Sequence, residues 1–273
     1  MVVLTFKKTS ITSGFTRLDA VITFGGGLLL VLALSAWLMN AGERARTFIC
    51  ARHLCAMGRA FSEYAHDHNG ALPPAVLDAG VGDSTSWDVE IAPYLNTGLP
   101  KAGSLEGKKQ AESQWAYVFH CPSDTEPHGG ALPRSYSMPM YDVGKDGWPP
   151  TANSLGGLGL YLDARALARI RRSMGEEPGD PMPAINISEV SDPSDTALLV
   201  ERISILNVLW HTRYACILST QEQFDAKTIE QRRFHDGKMN YLFLDGHVEL
   251  LFPVQSCGLA GTGGGSWTIQ AGD

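Results

Sequence analysis

A run of polar residues, HDHNG, contains the residue types that bind metal ions or transfer protons. It holds His66, Asp67, His68 and Asn69. A metal site also needs a closed set of ligands, and the spacing of this run does not supply one. Polar residues are common at a helix end, where histidine suits the negative end of the helix dipole and Asn69-Gly70 provides left-handed residues that end the helix. We predict a helix end here and no metal site.

Four polar residues near the C-terminus could form a metal or acid/base constellation: His235, Asp236, Asp245 and His247. Tyr241 to Leu244 and His247 to Leu251 are β-prone runs joined by Asp245-Gly246, which suits a two-residue type I′ hairpin. Side chains alternate in direction along a hairpin, and a turn aspartate bonds to its own backbone. We therefore expect the four side chains not to converge, and we predict a structural role for His235, Asp245 and Gly246.

Glu201 is a candidate catalytic acid because it closes a predicted buried strand, Thr196 to Glu201. The sequence shows no second acid at a fixed spacing that would complete an acid/base pair. A carboxylate at a strand end is more often at the surface, and we expect that position here. No nucleophile and base pair is recognisable either, so the sequence predicts no catalytic residues and no enzyme.

The composition limits the classes of protein that the chain can belong to. Its 273 residues are 44% hydrophobic, with a formal net charge of -7. This length suffices for one globular domain beyond an anchor. A nucleic-acid binder would show a clustered basic face, whereas the only basic group here, Arg169, Arg171 and Arg172, fits the solvated side of a predicted helix from Asp163 to Met174. We expect no nucleic-acid partner.

The element that precedes all these residues is a long apolar segment. From Ala20 to Met39 no side chain is ionisable, and a helix of about this length crosses a hydrocarbon core of ~30 Å. A secretory signal has a shorter apolar region followed by a small-residue cleavage site. Here the small residue, Gly14, precedes the apolar run, so cleavage there would leave the run attached. We predict one membrane span.

Helix-forming residues continue after the span, without proline, as far as Asn69-Gly70. We therefore predict one long helix, half in lipid and half outside. Met57, Phe61 and Tyr64 fall on one face of it, the stripe that a helix needs to pack against a globular domain. The segments that follow combine short apolar or aromatic runs with turn formers, a pattern typical of short strands and loops.

The junction before the span resembles a known processing site. Gly14, Phe15, Thr16 and, at the fifth position after the glycine, Asp19 resemble the cleavage and methylation site of type IV prepilins and type II secretion pseudopilins. The family usually has glutamate in place of Asp19 and an apolar residue in place of Arg17. The resemblance implies processing at Gly14 and Phe15. It also implies an assembly role for Asp19, which would pair with the free amino group of a neighbouring subunit.

A second likeness covers most of the remaining chain. It consists of a tryptophan and PYL segment, a CPSD turn from Cys121 to Asp124, a SYSMP strand from Ser135, and an H-x9-DG pattern that begins at His235. In this order the motifs resemble a large pilin-like family with a C-terminal H-x9-DG motif, abundant in planctomycete and verrucomicrobial genomes. Parts of an insert from about Asp142 to Pro183 fall outside the likeness.

The resemblance implies an α+β, pilin-like fold. A long N-terminal helix, transmembrane and then amphipathic, would pack on a small antiparallel β-sheet domain with loop-rich insertions. Residues 1–14 would be the leader, 15–40 the transmembrane half of the helix, 41–70 its extracytoplasmic half, and 71–273 the globular domain with its C-terminal hairpin. The expected partners are prepilin peptidase, other pilin or pseudopilin subunits and the inner membrane. The protein would be single-pass, with a periplasmic C-terminal domain.

The five cysteines are too few and too widely spread for a disulfide-built scaffold, and none is in a CxxC pair. Cys50 and Cys55 lie on different faces of the predicted helix and should not pair with each other. A domain outside the inner membrane meets oxidising conditions, which allow one bridge. Cys121 is then the better partner for one of the two, and Cys50 with Cys121 is a possible disulfide. Five buried, reduced cysteines are the alternative.

No cofactor is predicted from the sequence. Pseudopilins of related type can bind calcium in C-terminal loops, where Asp236 or Asp245 could contribute a ligand. Calcium needs six or more oxygens, and the sequence does not supply an identifiable set.

Two functions remain open from the sequence. The first is a structural pilin- or pseudopilin-like subunit, anchored in the inner membrane and assembled into a type II secretion pseudopilus or a type IV pilus-like filament. The alternative is a membrane-tethered extracytoplasmic binding module that does not polymerise. Arg17, Asp19 and the glycines at 25–27 depart from the usual pilin helix and favour this alternative.

Overall fold

A computed structural model describes residues 16–78, 84–95, 116–150, 156–175, 182–209, 215–217, 234–256 and 266–269. The processing residues expected from the sequence, Gly14 and Phe15, lie outside this described part. The chain divides into two compact units, Met1–Gly42 and Glu43–Asp273.

The first unit contains the start of helix α1 (Arg17–Asp67), which is 51 residues long. Large apolar side chains between Leu18 and Leu38 expose more than half of their surface. The helix is long and apolar enough to cross a membrane, a property that a single-pass anchor and a signal sequence share.

In the second unit, the rest of α1 packs one side against the sheet. The predicted stripe of Met57, Phe61 and Tyr64 is buried, and Cys50 and Leu54 extend the same buried side. The prediction of an apolar packing face is therefore confirmed.

The helix ends where the sequence predicted. It stops at Asp67, and Asn69 and Gly70 follow with φ values of 55° and 86°. The Gly70 N–H donates to the Ala65 carbonyl at 2.7 Å, which satisfies one of the carbonyls that a helix end leaves free.

Eight strands form one sheet within the described residues: β1 (Val76–Asp78), β2 (Ser84–Ser86), β3 (Tyr136–Tyr141), β4 (Gly159–Asp163), β5 (Ala197–Glu201), β6 (Cys216–Ile217), β7 (Met239–Phe243) and β8 (Val248–Leu251). Their order is β2-β1-β4-β3-β5-β7-β8, and β6 pairs with β3. Short helices α2 (Trp87–Ile91) and α3 (Val143–Asp146) follow β2 and β3.

The α+β class is confirmed, but the sheet is mixed rather than purely antiparallel. β4 pairs in parallel with both β1 and β3, and β6 pairs in parallel with β3. Parallel neighbours need a long connection. The insert from about Asp142 to Pro183, for which loops and one helix were expected, lies between β3 and β5 and contains strand β4. Helix α4 (Ala164–Met174) then follows, where the sequence predicted a helix from Asp163 to Met174. The Asp163 carboxylate caps it by accepting the Ala166 N–H at 2.7 Å.

The C-terminal hairpin has a different turn from the predicted one. The Phe243 N–H donates to the His247 carbonyl at 3.0 Å, and the Gly246 N–H donates to the Phe243 carbonyl at 2.9 Å. The loop therefore has three residues, of which only Gly246 has a positive φ, at 92°. The predicted two-residue type I′ turn is wrong, because Asp245 does not adopt the left-handed conformation that this turn requires of both central residues.

Candidate functional site

His235 lies in a strained turn just before β7. His235 and Asp236 have φ values of 44° and 58°, and Gly237 continues the turn with φ 85°. Residues other than glycine rarely adopt a positive φ, because their Cβ atom then clashes with the backbone. Backbone strain of this kind clusters at functional sites. The turn carries the His235 side chain into the interior, where the residue is 2% exposed.

One ring nitrogen of His235 faces helix α1. Nδ1 lies 2.9 Å from Glu43 Oε1 and 2.9 Å from Thr47 Oγ1, and the His235 backbone N–H reaches the same Glu43 oxygen at 3.3 Å. Glu43 also accepts hydrogen bonds from Ser123 Oγ at 2.8 Å and from Arg46 Nε at 2.8 Å. One carboxylate thus connects the helix, the CPSD turn and the turn at His235.

The other ring nitrogen faces the sheet. Nε2 lies 3.2 Å from Glu201 Oε1 and 3.5 Å from Cys121 Sγ. The Glu201 carboxylate accepts the Asn240 backbone N–H at 2.7 Å and the Asn240 side-chain amide at 2.9 Å. Both ring nitrogens of His235 therefore have a carboxylate neighbour.

The expected surface position of Glu201 is wrong, because the residue is fully buried. The strand that contains it was predicted at nearly its observed bounds. What the sequence did not reveal is that β5 lies between β3 and β7. The end of a central strand is covered by its neighbours, so Glu201 meets Asn240 and His235 instead of solvent.

A disulfide completes the group. Cys50 and Cys121 are joined with an S–S distance of 1.94 Å, the pair expected from the sequence as a possible bridge. It attaches helix α1 to the CPSD turn beside His235. Cys55 is a half-buried free cysteine. We call His235, Glu43, Glu201 and the Cys50–Cys121 pair the histidine centre.

The charges of the histidine centre act on the pKa of His235 in opposite directions. Burial lowers the pKa, because it disfavours the charged ring. The hydrogen bonds and negative charges of Glu201 and then Glu43 outweigh that effect and raise the pKa of His235 above its usual value. A protonated ring between the two carboxylates is the form that these contacts favour.

The remaining C-terminal polar residues stay apart from the histidine centre. His247 Nδ1 lies 2.6 Å from Asp245 Oδ1, and the His247 backbone N–H donates to the same oxygen at 3.0 Å. Asp236 is exposed. The four polar residues do not form one constellation, as predicted, and Asp245 organises its own turn.

Asp19 is engaged within its own helix. Its carboxylate accepts the Thr16 N–H at 2.9 Å and the Thr16 hydroxyl at 2.7 Å, while the Asp19 N–H reaches Thr16 Oγ1 at 3.2 Å. This reciprocal pair is a capping box at the start of α1.

Sequence reasoning identified His235 and the cysteine pair, but it missed Glu43 and Asn240 and misplaced Glu201. Glu43 is 192 positions away from His235 in the chain. The available signal for Glu43 was its place as the first acidic residue after the uncharged run.

Comparison of the chain with known protein families, with curated proteins and with solved structures gives no match in any of the three.

Proposed function

We propose that this protein is a pilin- or pseudopilin-like structural subunit that is held in the inner membrane by the first part of α1. Prepilin peptidase would cleave it after Gly14. It would then assemble through its apolar helix into a type II secretion pseudopilus or a type IV pilus-like filament. The observation that carries the proposal is α1 itself: its large apolar side chains between Leu18 and Leu38 are exposed, whereas a stripe of later ones, from Cys50 to Tyr64, is buried.

The histidine centre supports this function. A subunit that moves out of the membrane is pulled through its N-terminal helix, so the helix has to remain attached to the domain. The disulfide at Cys50 and the Glu43–His235 contact attach α1 to the CPSD turn and to the turn before β7. These contacts lie just beyond the part of the helix that would be in lipid.

The first test is the intact mass and the N-terminal sequence of the protein purified from its own membranes. A chain that begins at Phe15, with or without a methyl group, is the expected result. A chain that begins at Met1 would overturn the processing step and leave a plain anchor.

The second test is cross-linking in intact cells. Assembly predicts ladders of cross-linked subunits, which Asp19→Ala should weaken and Asp19→Glu should preserve. Glu63→Ala is the matched control, because it removes an exposed carboxylate elsewhere on the same helix. Ladders that are absent from the wild type, or equally strong in all the variants, contradict an assembly role for Asp19.

A membrane-tethered binding module is the second candidate, and one observation favours it. The Asp19 carboxylate that would meet a neighbouring subunit is already bonded to Thr16. An intermolecular pair would have to replace those bonds. Processing without any cross-linked ladder would be the result that favours the tethered module.

A further inference from the structure

The histidine centre brings four potential metal ligands together. The two sulfurs of Cys50 and Cys121, a Glu201 carboxylate oxygen and a His235 ring nitrogen all lie within 4.8 Å of one another, and all four residues are buried. We propose that, when the disulfide is reduced, these four side chains bind one divalent metal ion of the zinc type. The disulfide and the metal ion are then alternative links between helix α1 and the CPSD turn, because both use the sulfurs of Cys50 and Cys121.

The distances around His235 fit a tetrahedral ion. In a tetrahedral site, Zn–S bonds of about 2.3 Å and Zn–N or Zn–O bonds of about 2.0–2.1 Å place the nitrogen roughly 3.3–3.6 Å from a sulfur or an oxygen. The same bond lengths place the two sulfurs about 3.8 Å apart, so the sulfurs have to separate after reduction. His235 Nε2 lies 3.5 Å from Cys121 Sγ and 3.2 Å from Glu201 Oε1. Both distances match the nitrogen–sulfur and nitrogen–oxygen separations of a tetrahedral zinc site.

The outer contacts are also those of a metal site. A metal-binding histidine usually gives its other ring nitrogen to a carboxylate or carbonyl, and a metal-binding carboxylate is itself hydrogen-bonded. Here Nδ1 of His235 lies 2.9 Å from Glu43, and Glu201 is held by two bonds from Asn240. These bonds leave Nε2 directed towards Glu201 and Cys121.

The metal site forms in two steps, reduction of the disulfide and then binding of the metal ion. A dithiol reductant transfers two electrons and two protons to the Cys50–Cys121 bond and becomes a disulfide itself, leaving two thiols. The metal then displaces three protons to the solvent, two from the thiols and one from Nε2 of the His235 ring, and His235 binds through the deprotonated Nε2. Two thiolates with an imidazole favour zinc over calcium or magnesium, which prefer oxygen ligands.

The test uses the full chain in detergent, with Cys55, Cys216 and Cys257 replaced by serine so that only the centre has thiols. The protein is reduced with a dithiol under anaerobic conditions, desalted and titrated with Co²⁺, which reports tetrahedral thiolate sites by its visible spectrum. We expect one Co²⁺ per reduced chain, displacement by Zn²⁺, and no uptake by the oxidised chain. His235→Gln should weaken the affinity by 10-fold or more.

Two outcomes would overturn the proposal. One is a reduced chain that stays folded by circular dichroism yet takes up no Co²⁺. The other is uptake that Cys50→Ser leaves unchanged. If the reduced chain unfolds, it is refolded without oxidant in the presence of Zn²⁺. Recovery of the native spectrum is then expected, and failure to recover it counts against the site.

Discussion

At the residue scale, Glu201 shows how a buried charge is made tolerable. Its carboxylate has no access to water, yet it accepts two bonds from Asn240 and faces the His235 ring. Removing one member of such a group leaves the others buried without their partner. The resulting loss in the free energy of unfolding is larger than the net contribution of the intact group.

We expect Glu201→Ala to lower the free energy of unfolding by about 3–5 kcal/mol, the range for breaking a buried ion pair. Glu201→Gln should cost less, because its amide oxygen still accepts from Asn240. Denaturant unfolding in detergent, followed by tryptophan fluorescence, measures both. Glu249→Ala is the control, since that carboxylate is exposed on β8; equal losses in the alanine variants would refute a buried role for Glu201.

The buried side chain of His53 should make the stability of the native state depend on pH. It is buried on α1, with Nδ1 3.1 Å from the His120 carbonyl. Burial, the main cause, lowers the pKa of His53 to about 4. In the unfolded chain the pKa is about 6.5, so the native state loses stability as the pH falls from about 6.5 towards 4.

The variant His53→Gln should therefore flatten the fall in stability over that range, by roughly 1–3 kcal/mol. Glutamine can still donate to the His120 carbonyl but carries no charge. The measurement is the melting temperature of wild type and variant at several pH values between 7 and 4. Parallel curves for the two proteins would show that His53 does not titrate as the structure requires.

The residues of the histidine centre were only partly predictable from the sequence. His235 belonged to a recognisable motif, and the different faces of Cys50 and Cys55 on the helix pointed to Cys121 as a partner. Glu43 was marked only as the first acidic residue after the uncharged run, and Asn240 was not marked at all, because each contacts the centre through tertiary packing. The burial of Glu201 depended on strand order, which local sequence patterns do not encode.

At the element scale, the close approach of α1 to β7 depends on Gly58. A Cβ atom at this position would lie 3.0 Å from Leu242 Cδ1 and 3.8 Å from the Gly246 Cα. A larger side chain would push the helix away from β7 and from the hairpin turn.

We expect Gly58→Leu to destabilise the domain by about 1–3 kcal/mol through overpacking. Gly26→Leu is the matched control, since it is the same change in the same helix at a position with nothing within 4 Å. The control should leave unfolding of the domain unchanged or improve helix stability slightly. Thermal unfolding in one detergent compares the two, and an unchanged midpoint for Gly58→Leu would exclude the tight contact.

Helices were easier to predict than sheet geometry. The end of α1 followed from Asn69-Gly70, and α4 was predicted to within one residue of its observed bounds, because the signals of a helix are local. The hairpin turn was misjudged, since Asp245-Gly246 also suits a three-residue loop with the glycine as its single left-handed residue. The parallel strands depend on contacts between distant segments, which the periodicity of single runs does not contain.

At the scale of the whole molecule, α1 belongs to both units of the chain, Met1–Gly42 and Glu43–Asp273. The large apolar side chains of α1 between Leu18 and Leu38 are exposed, whereas Cys50, Leu54, Met57 and Phe61 of the same helix are buried. A helix with this division of surface is suited to retaining the protein at a membrane. Length and hydropathy would equally suit a signal sequence, so retention has to be measured.

We expect Leu29→Arg to release the protein from the membrane. Leu29 is 69% exposed near the middle of the uncharged run. An arginine at the centre of a span costs about 2.5–3.5 kcal/mol, roughly a 100-fold shift in the insertion equilibrium.

Phe48→Arg is the control, because Phe48 is also exposed on α1 but lies in the second unit. An alkaline wash of isolated membranes should extract the Leu29→Arg protein and retain both the wild type and the control. Extraction of the wild type itself would mean that the first part of α1 acts as a signal sequence and that the mature protein is not anchored by it.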